Sequence, residues 1–220
     1  RCGQPWHPYG VEHALQGCDE DELLGGRTRV LETALSGGVD PVEGHETQGW
    51  PTFVDWPRHD LLTYEQVHYR WLERAWRGGL RMVTALLVDN AVLCEVYPFK
   101  ENSCNEMDGV RLQAQRMHEL QDYIDAQHGG PGQGWFRIVD DPFEARRVMN
   151  EGRLAVVLGM EVSRPFDCRL LLGVPQCSRE DLDRELAELY DLGVRQLELV
   201  NKFDNALTGV AGDPGTTGVI

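Results

Sequence analysis

Leu154-Ala155-Val156-Val157-Leu158-Gly159-Met160-Glu161 is an apolar run that ends in a carboxylate. A run with no polar alternation fits a strand covered on both faces, as in a parallel sheet. What flanks it supports that reading. Upstream, Asp141 and Pro142 supply a helix N-cap and first position, the helix runs to about Asn150, and Gly152 closes it. Downstream, Ser178 caps a second helix with Asp181 three positions on, and Leu182, Leu186, Leu189 and Tyr190 are read as its apolar face. Gly193 ends that helix, and Val194–Val200 alternates as a further strand.

The same alternation extends toward the N-terminus. Trp135–Val139 reads as a short strand. Residues 106–127 read as a long amphipathic helix with Val110, Leu112, Met117, Leu120 and Ile124 on one stripe. Leu80–Val88 is nearly all apolar and reads as another strand buried on both faces. Before it, Thr63 and Gln66 form a capping box for a helix through Val67, Trp71, Leu72 and Ala75, stopped by Gly78-Gly79. Strand and helix therefore alternate from Leu80 to Val200, which predicts an α/β fold on a parallel sheet.

About four strand–helix units are visible, whereas a closed (β/α)8 TIM-like barrel takes about 250 residues. Nothing after Val200 reads as a covering helix, and the chain opens at Arg1. The expectation is a partial barrel belonging to a longer protein: residues 1–62 an irregular, loop-rich N-terminal segment or lid, residues 63–220 the first half of the barrel.

A net charge of -15, from 21 basic and 36 acidic residues, argues against a nucleic-acid partner, because phosphate binding needs clustered Lys and Arg. No stretch approaches the roughly 18 apolar residues of a membrane span. The six cysteines fall in sequence-local pairs, Cys2 with Cys18, Cys94 with Cys104 and Cys168 with Cys177, and none shows metal-type C-x-x-C spacing. Each of the last two pairs is read as flanking a polar loop. Disulfides pinning loops of a secreted or extracytoplasmic protein are one reading and reduced thiols the other, and six cysteines allow about 15 connectivities.

In α/β barrels the working residues sit at the C-terminal ends of strands. Glu161 is one such position, where a metal or substrate would lie; the plain alternative is an acidic residue opening a loop. The second strand end carries Asn201-Lys202-Phe203-Asp204-Asn205. Taken singly, Lys202 and Asp204 read as solvated loop. His45 and His59 lie in an aromatic stretch with Trp50, Phe53 and Trp56 that reads as a self-packed loop or as a pocket rim. His118 is expected at the surface of the long helix, and Arg195 is expected to pair with a carboxylate.

From about Arg111 to Asp213 the sequence resembles the membrane (renal-type) dipeptidases, amidohydrolase-like barrels that bind two zinc ions. The resemblance rests on Gln115-Arg116-Met117-His118 in the long helix, on Glu151-Gly152-Arg153 leading into the apolar strand that finishes Gly159-Met160-Glu161, and on Leu189-Tyr190-Asp191-Leu192-Gly193-Val194-Arg195 before the next strand. It implies a metal-dependent hydrolase in which zinc-activated water attacks an amide, ester or phosphoester of a small or peptide-like substrate. It also implies that Glu161 bridges the zinc pair, since a carboxylate offers an oxygen to each ion. The chain departs from the pattern in two places. Val162-Ser163 stands where the family has Gly-Gly, and Asn201 stands where it has a substrate-contacting His. Asn201 can donate an amide hydrogen bond to substrate but carries no proton or charge. No His-x-Asp occurs, so the remaining metal ligands are expected outside this chain, which alone is expected to be inactive. The alternative reading is a non-catalytic binding protein on a degenerate dipeptidase-like barrel.

Overall fold

The computed structural model describes residues 69–96, 100, 102–201 and 203–209. The irregular segment expected over residues 1–62, the Thr63 cap, His45, His59, Cys2, Cys18 and Lys202 lie outside them. Two compact units divide the chain, one of residues 1–80 and 97–99, the other of residues 81–96 and 100–220.

In the first unit the described element is helix α1 (Tyr69–Arg77). Arg70 and Arg77 both reach Glu73, at 2.6 and 2.7 Å. Burial works against ionisation there, but the two guanidinium groups hold the Glu73 carboxyl below its ordinary range. Gly79, at φ 113°, turns the chain out of the helix, as its position predicts.

The second unit holds β1 (Met82–Asp89), α2 (Ala91–Val96), α3 (Glu106–Gln127), β2 (Phe136–Ile138), α4 (Pro142–Asn150) and β3 (Leu154–Val162). A 3-10 turn (Pro165–Asp167), the hairpin β4 (Leu170–Leu171) and β5 (Val174–Pro175), α5 (Arg179–Asp191) and β6 (Val194–Glu198) follow. The apolar run at 154–161 is the central strand, which continues one residue further to Val162. It pairs in parallel with β1 along one edge, and with β2 and then β6 along the other. The path β1–β3–β6 thus follows chain order, with the short β2 beside the start of β3. This is the parallel α/β sheet the alternation predicts. Among the described residues it stays open, and no closure into a barrel is seen.

Alternate residues of β3 face opposite ways. Leu154, Val156, Leu158, Met160 and Val162 are all fully buried. They share this core with Leu87 of β1 and with Val110, Ala114, Leu120 and Ile124 of α3. Among the described residues the other face is covered only at its start, where Val139, Ala145 and Val148 pack on Ala155. Beyond Val157 that face opens. For that reason β1 is not buried on both sides as its composition predicts: Leu87 is its one buried residue, and Met82 and Val88 are exposed.

Helix α3 lies so close to β1 that a Cβ on Gly109 would sit 2.0 Å from the Asp89 carboxylate. Arg111 ties α3 to α5 through Glu185 and, by a two-pronged contact, Glu188. The N-cap at Asp141 and the capping box at Ser178 form as predicted: Asp141 accepts from the amides of Phe143 and Glu144, and Ser178 and Asp181 bond reciprocally. The apolar face assigned to α5 is corrected. Only Leu189 is buried; Leu186 and Tyr190 are exposed. The Tyr190 ring instead supports the Arg195 guanidinium at 3.8 Å, and Arg195 reaches Asp140 at 3.1 Å, the carboxylate pairing expected of it. His118 is exposed, near the Leu192 carbonyl.

Disulfides join Cys94 to Cys104 and Cys168 to Cys177, with Cα separations of 5.5 and 5.0 Å. The loop inside the second is not polar. It is a hairpin carrying Leu170, Leu171, Leu172 and Val174, all exposed. Among the described residues no helix is long and apolar enough to cross a membrane.

Candidate active-site rim at the ends of the parallel strands

Three parallel strands in chain order bring three chain exits to one rim. Asn90 follows β1, Ser163 follows β3, and the loop through Asn205 follows β6. All three side chains are buried, and they are joined. The Asn90 amide donates to Ser163 Oγ at 3.3 Å. The Asn205 amide donates to the Ser163 carbonyl at 3.1 Å and the Leu199 carbonyl at 2.8 Å. The Asn205 carbonyl oxygen accepts from the Leu207 and Thr208 amides, which folds the loop on itself.

Glu106 reinforces this rim from the first turn of α3. It is almost fully buried, and its carboxylate accepts from the Ala91 amide at 2.8 Å and from the Arg164 amide by a short bond. One side chain therefore clamps the exits of β1 and β3 together. Burial pushes its carboxyl up, against the lowering effect of those two amide donors. Beyond Arg164 the backbone enters the left-handed region at Phe166 and Asp167, φ 60° and 55°. Asn105 donates to the Asp167 carboxylate and the Phe166 amide to Met107 Sδ, which hold this sparsely populated geometry in place.

Glu161 lies inside this rim, on the open face of β3. It pairs in register with Val88 on one side and with Glu198 on the other. Glu161 and Glu198 are thus adjacent carboxylates at the ends of neighbouring strands. Partial burial, then the negative charge of Glu198, push the Glu161 carboxyl up. No cation pairs with either group among the described residues. One step back on the same face, Gly159 keeps the floor low: a Cβ there would meet Leu86 at 2.8 Å and Thr84 at 3.0 Å.

Asn201 lies three residues beyond Glu198 and is half-buried; its carbonyl accepts from the Phe203 amide. The two positions singled out from the sequence, Glu161 and Asn201, therefore belong to the exits of adjacent strands. Glu198 escapes a sequence reading because it sits at an outward position of an alternating strand, and only the strand pairing places it beside Glu161. Asn90, Ser163 and Glu106 carry no motif. Their signal was position alone, one residue past an apolar strand or at a helix start.

A carboxylate pair without a counter-cation among the described residues, at the C-terminal ends of parallel strands, can take a divalent cation or share a proton. Among the described residues no group of three or more His, Cys, Asp or Glu comes together as a metal site. Comparison with known proteins finds no match to a family model, to a curated protein or to a solved structure.

Proposed function

We propose that this chain carries one wall of the active site of an extracytoplasmic metal-dependent hydrolase of the dipeptidase-like class, with Glu161 as a metal-bridging carboxylate. The observation that carries the reading is the seat of Glu161. It lies at the end of the central parallel strand, faces the open side of the sheet, and stands beside Glu198 with no cation among the described residues to balance either charge. Most carboxylates near the strand exits are tied to donors, as Glu106 is. The chain-order path β1–β3–β6 and the strand-end rim support a barrel. The two loop disulfides support an oxidising compartment.

Glu161 and Glu198 would hold one side of the metal, and the other ligands come from outside the described residues. The metal would supply Lewis acidity and an activated water for cleaving an amide, ester or phosphoester. Asn201, at the next strand exit, orients the bound substrate by an amide hydrogen bond. It cannot shuttle a proton, so the proton must move through another group.

The test is zinc content after exhaustive dialysis, measured by elemental analysis on the intact protein and its Glu161→Gln variant. The expected result is about two zinc ions per chain, as a shared-hydroxide site requires, falling clearly in the variant. Zinc absent from both proteins would overturn the reading and favour a binding protein built on the same sheet.

A further inference from the structure

The hairpin between Cys168 and Cys177 has features that neither the fold nor the rim uses. Its ladder pairs Leu170 with Pro175 and Leu171 with Val174. Leu172 and Gly173 make the turn, both at positive φ, 50° and 79°. Leu172 is 97% exposed, Leu171 60% and Val174 59%. Paired strand positions alternate between faces, so the hairpin is apolar on both faces and at its tip. No residue from Leu170 to Gln176 is charged.

The base is held firmly. The disulfide closes it, the Gln176 amide donates to the Arg169 carbonyl at 2.9 Å, and the Ala206 amide donates to the Cys168 carbonyl at 3.1 Å. In a chain of net charge -15, the first charged residue on each side of the apolar tip is a cation, Arg169 and Arg179, both exposed, with the exposed acids Asp167 and Glu180 just beyond them. Arg179 makes only a loose 3.9 Å approach to Asp183.

We propose that this hairpin is a membrane-interface anchor, inserting Leu170, Leu171, Leu172 and Val174 into a zwitterionic phospholipid surface with Arg169 and Arg179 at the phosphates. Three features select this occupant. A protein groove or a second copy covers one face of a hairpin, whereas an acyl layer covers both faces and the tip. The rise from Arg169 to Leu172 is about 10 Å at a strand's ~3.3 Å per residue, matching the roughly 5–10 Å depth of interfacial insertion. Arg169, one residue before the hairpin, and Arg179, two residues past its closing disulfide, offer cations at its base, while the chain's overall negative charge selects against an anionic leaflet. The inference is independent of the metal reading.

The test is co-sedimentation of the chain with phosphatidylcholine vesicles, for wild type and Leu172→Asp. Aspartate accepts the positive φ of this position better than leucine does, and the side chain contacts little, so the fold is retained. The expected result is measurable vesicle binding by wild type and at least tenfold weaker partitioning by the variant. Absence of wild-type binding would overturn the proposal, as would equal binding by both proteins. Self-association of wild type without lipid, abolished by Leu172→Asp, would assign the hairpin to a second copy instead and equally overturn it.

Discussion

Glu106 and Glu161 are two carboxylates near the exits of the same parallel strands, and both are pushed above the usual carboxyl range by burial. They differ in what surrounds them. Glu106 accepts two backbone amides and joins two chain segments. Glu161 has a second carboxylate beside it and no donor among the described residues. The first is what a structural acid looks like, since its burial is offset by bonds that only the folded state supplies. The second has no such bond among the described residues, and on that contrast the proposed metal role rests. A buried charge is thus read from its partners and not from its depth.

The sharpest way to break this contrast is to remove each group. Glu106→Ala leaves the buried Ala91 amide and the partly buried Arg164 amide without acceptors, an expected loss of about 3 kcal/mol. At roughly 2–4 °C per kcal/mol for a chain of this size, the melting temperature falls by about 6–12 °C. In metal-free protein, Glu161→Ala is expected within about 0.5 kcal/mol of wild type. Equal losses from the two variants in thermal denaturation would erase the distinction.

The rim itself gives a smaller effect. Asn205→Ala removes two donated and two accepted bonds and is expected to cost about 2 kcal/mol, and Ser163→Ala, which removes one acceptor, about 1 kcal/mol. Denaturant midpoints measure both. A double variant losing less than the sum would show that the two act as one network, since neighbours that share partners are not additive.

Acidity sharpens the contrast most gently. Glu161 is raised, so the folded state binds its proton more tightly than the unfolded chain does. Its ionisation therefore opposes folding as pH rises from the ordinary glutamate range through the raised folded value, and the penalty is complete above that value. With chelator present to keep the protein metal-free, Glu161→Gln is expected to be at least as stable as wild type at neutral pH, with any advantage fading as pH falls below the ordinary range. Urea titrations at a series of pH values check the sign. A stabilising carboxylate would give the reverse slope.

Much of the fold was legible because its signals are local. Asp141, Ser178 and Gly152 mark helix ends by backbone chemistry that needs no tertiary partner, and the run at 154–161 announces its own burial. The failures share one cause. Leu80–Val88 is composed like a buried strand, yet one of its faces opens, and nothing in its residues records which neighbour covers it. Leu186 and Tyr190 fall on an apolar stripe of α5, but Arg195 rather than a core meets the ring. The loop at 169–176 was read from its cysteine flanks as polar, although it contains three consecutive leucines. In the site, Glu161 was legible as a strand-end acid. Glu198 was not, because adjacency across a ladder is set by pairing register, and register shifts at Leu158/Gly159.

The relay from Asn90 to Ser163 to Asn205 also bears on how the chain folds. Its links close loops of 73 and 42 residues. Each closure costs chain entropy before it returns any bond, so contacts of this span form after the helices and nearby pairings. The rim is then absent from much of the barrier-crossing ensemble. Loosening it would leave the refolding rate nearly unchanged and quicken unfolding. The part of the molecule that presents the candidate site is thus also the part that sets how long the folded state endures.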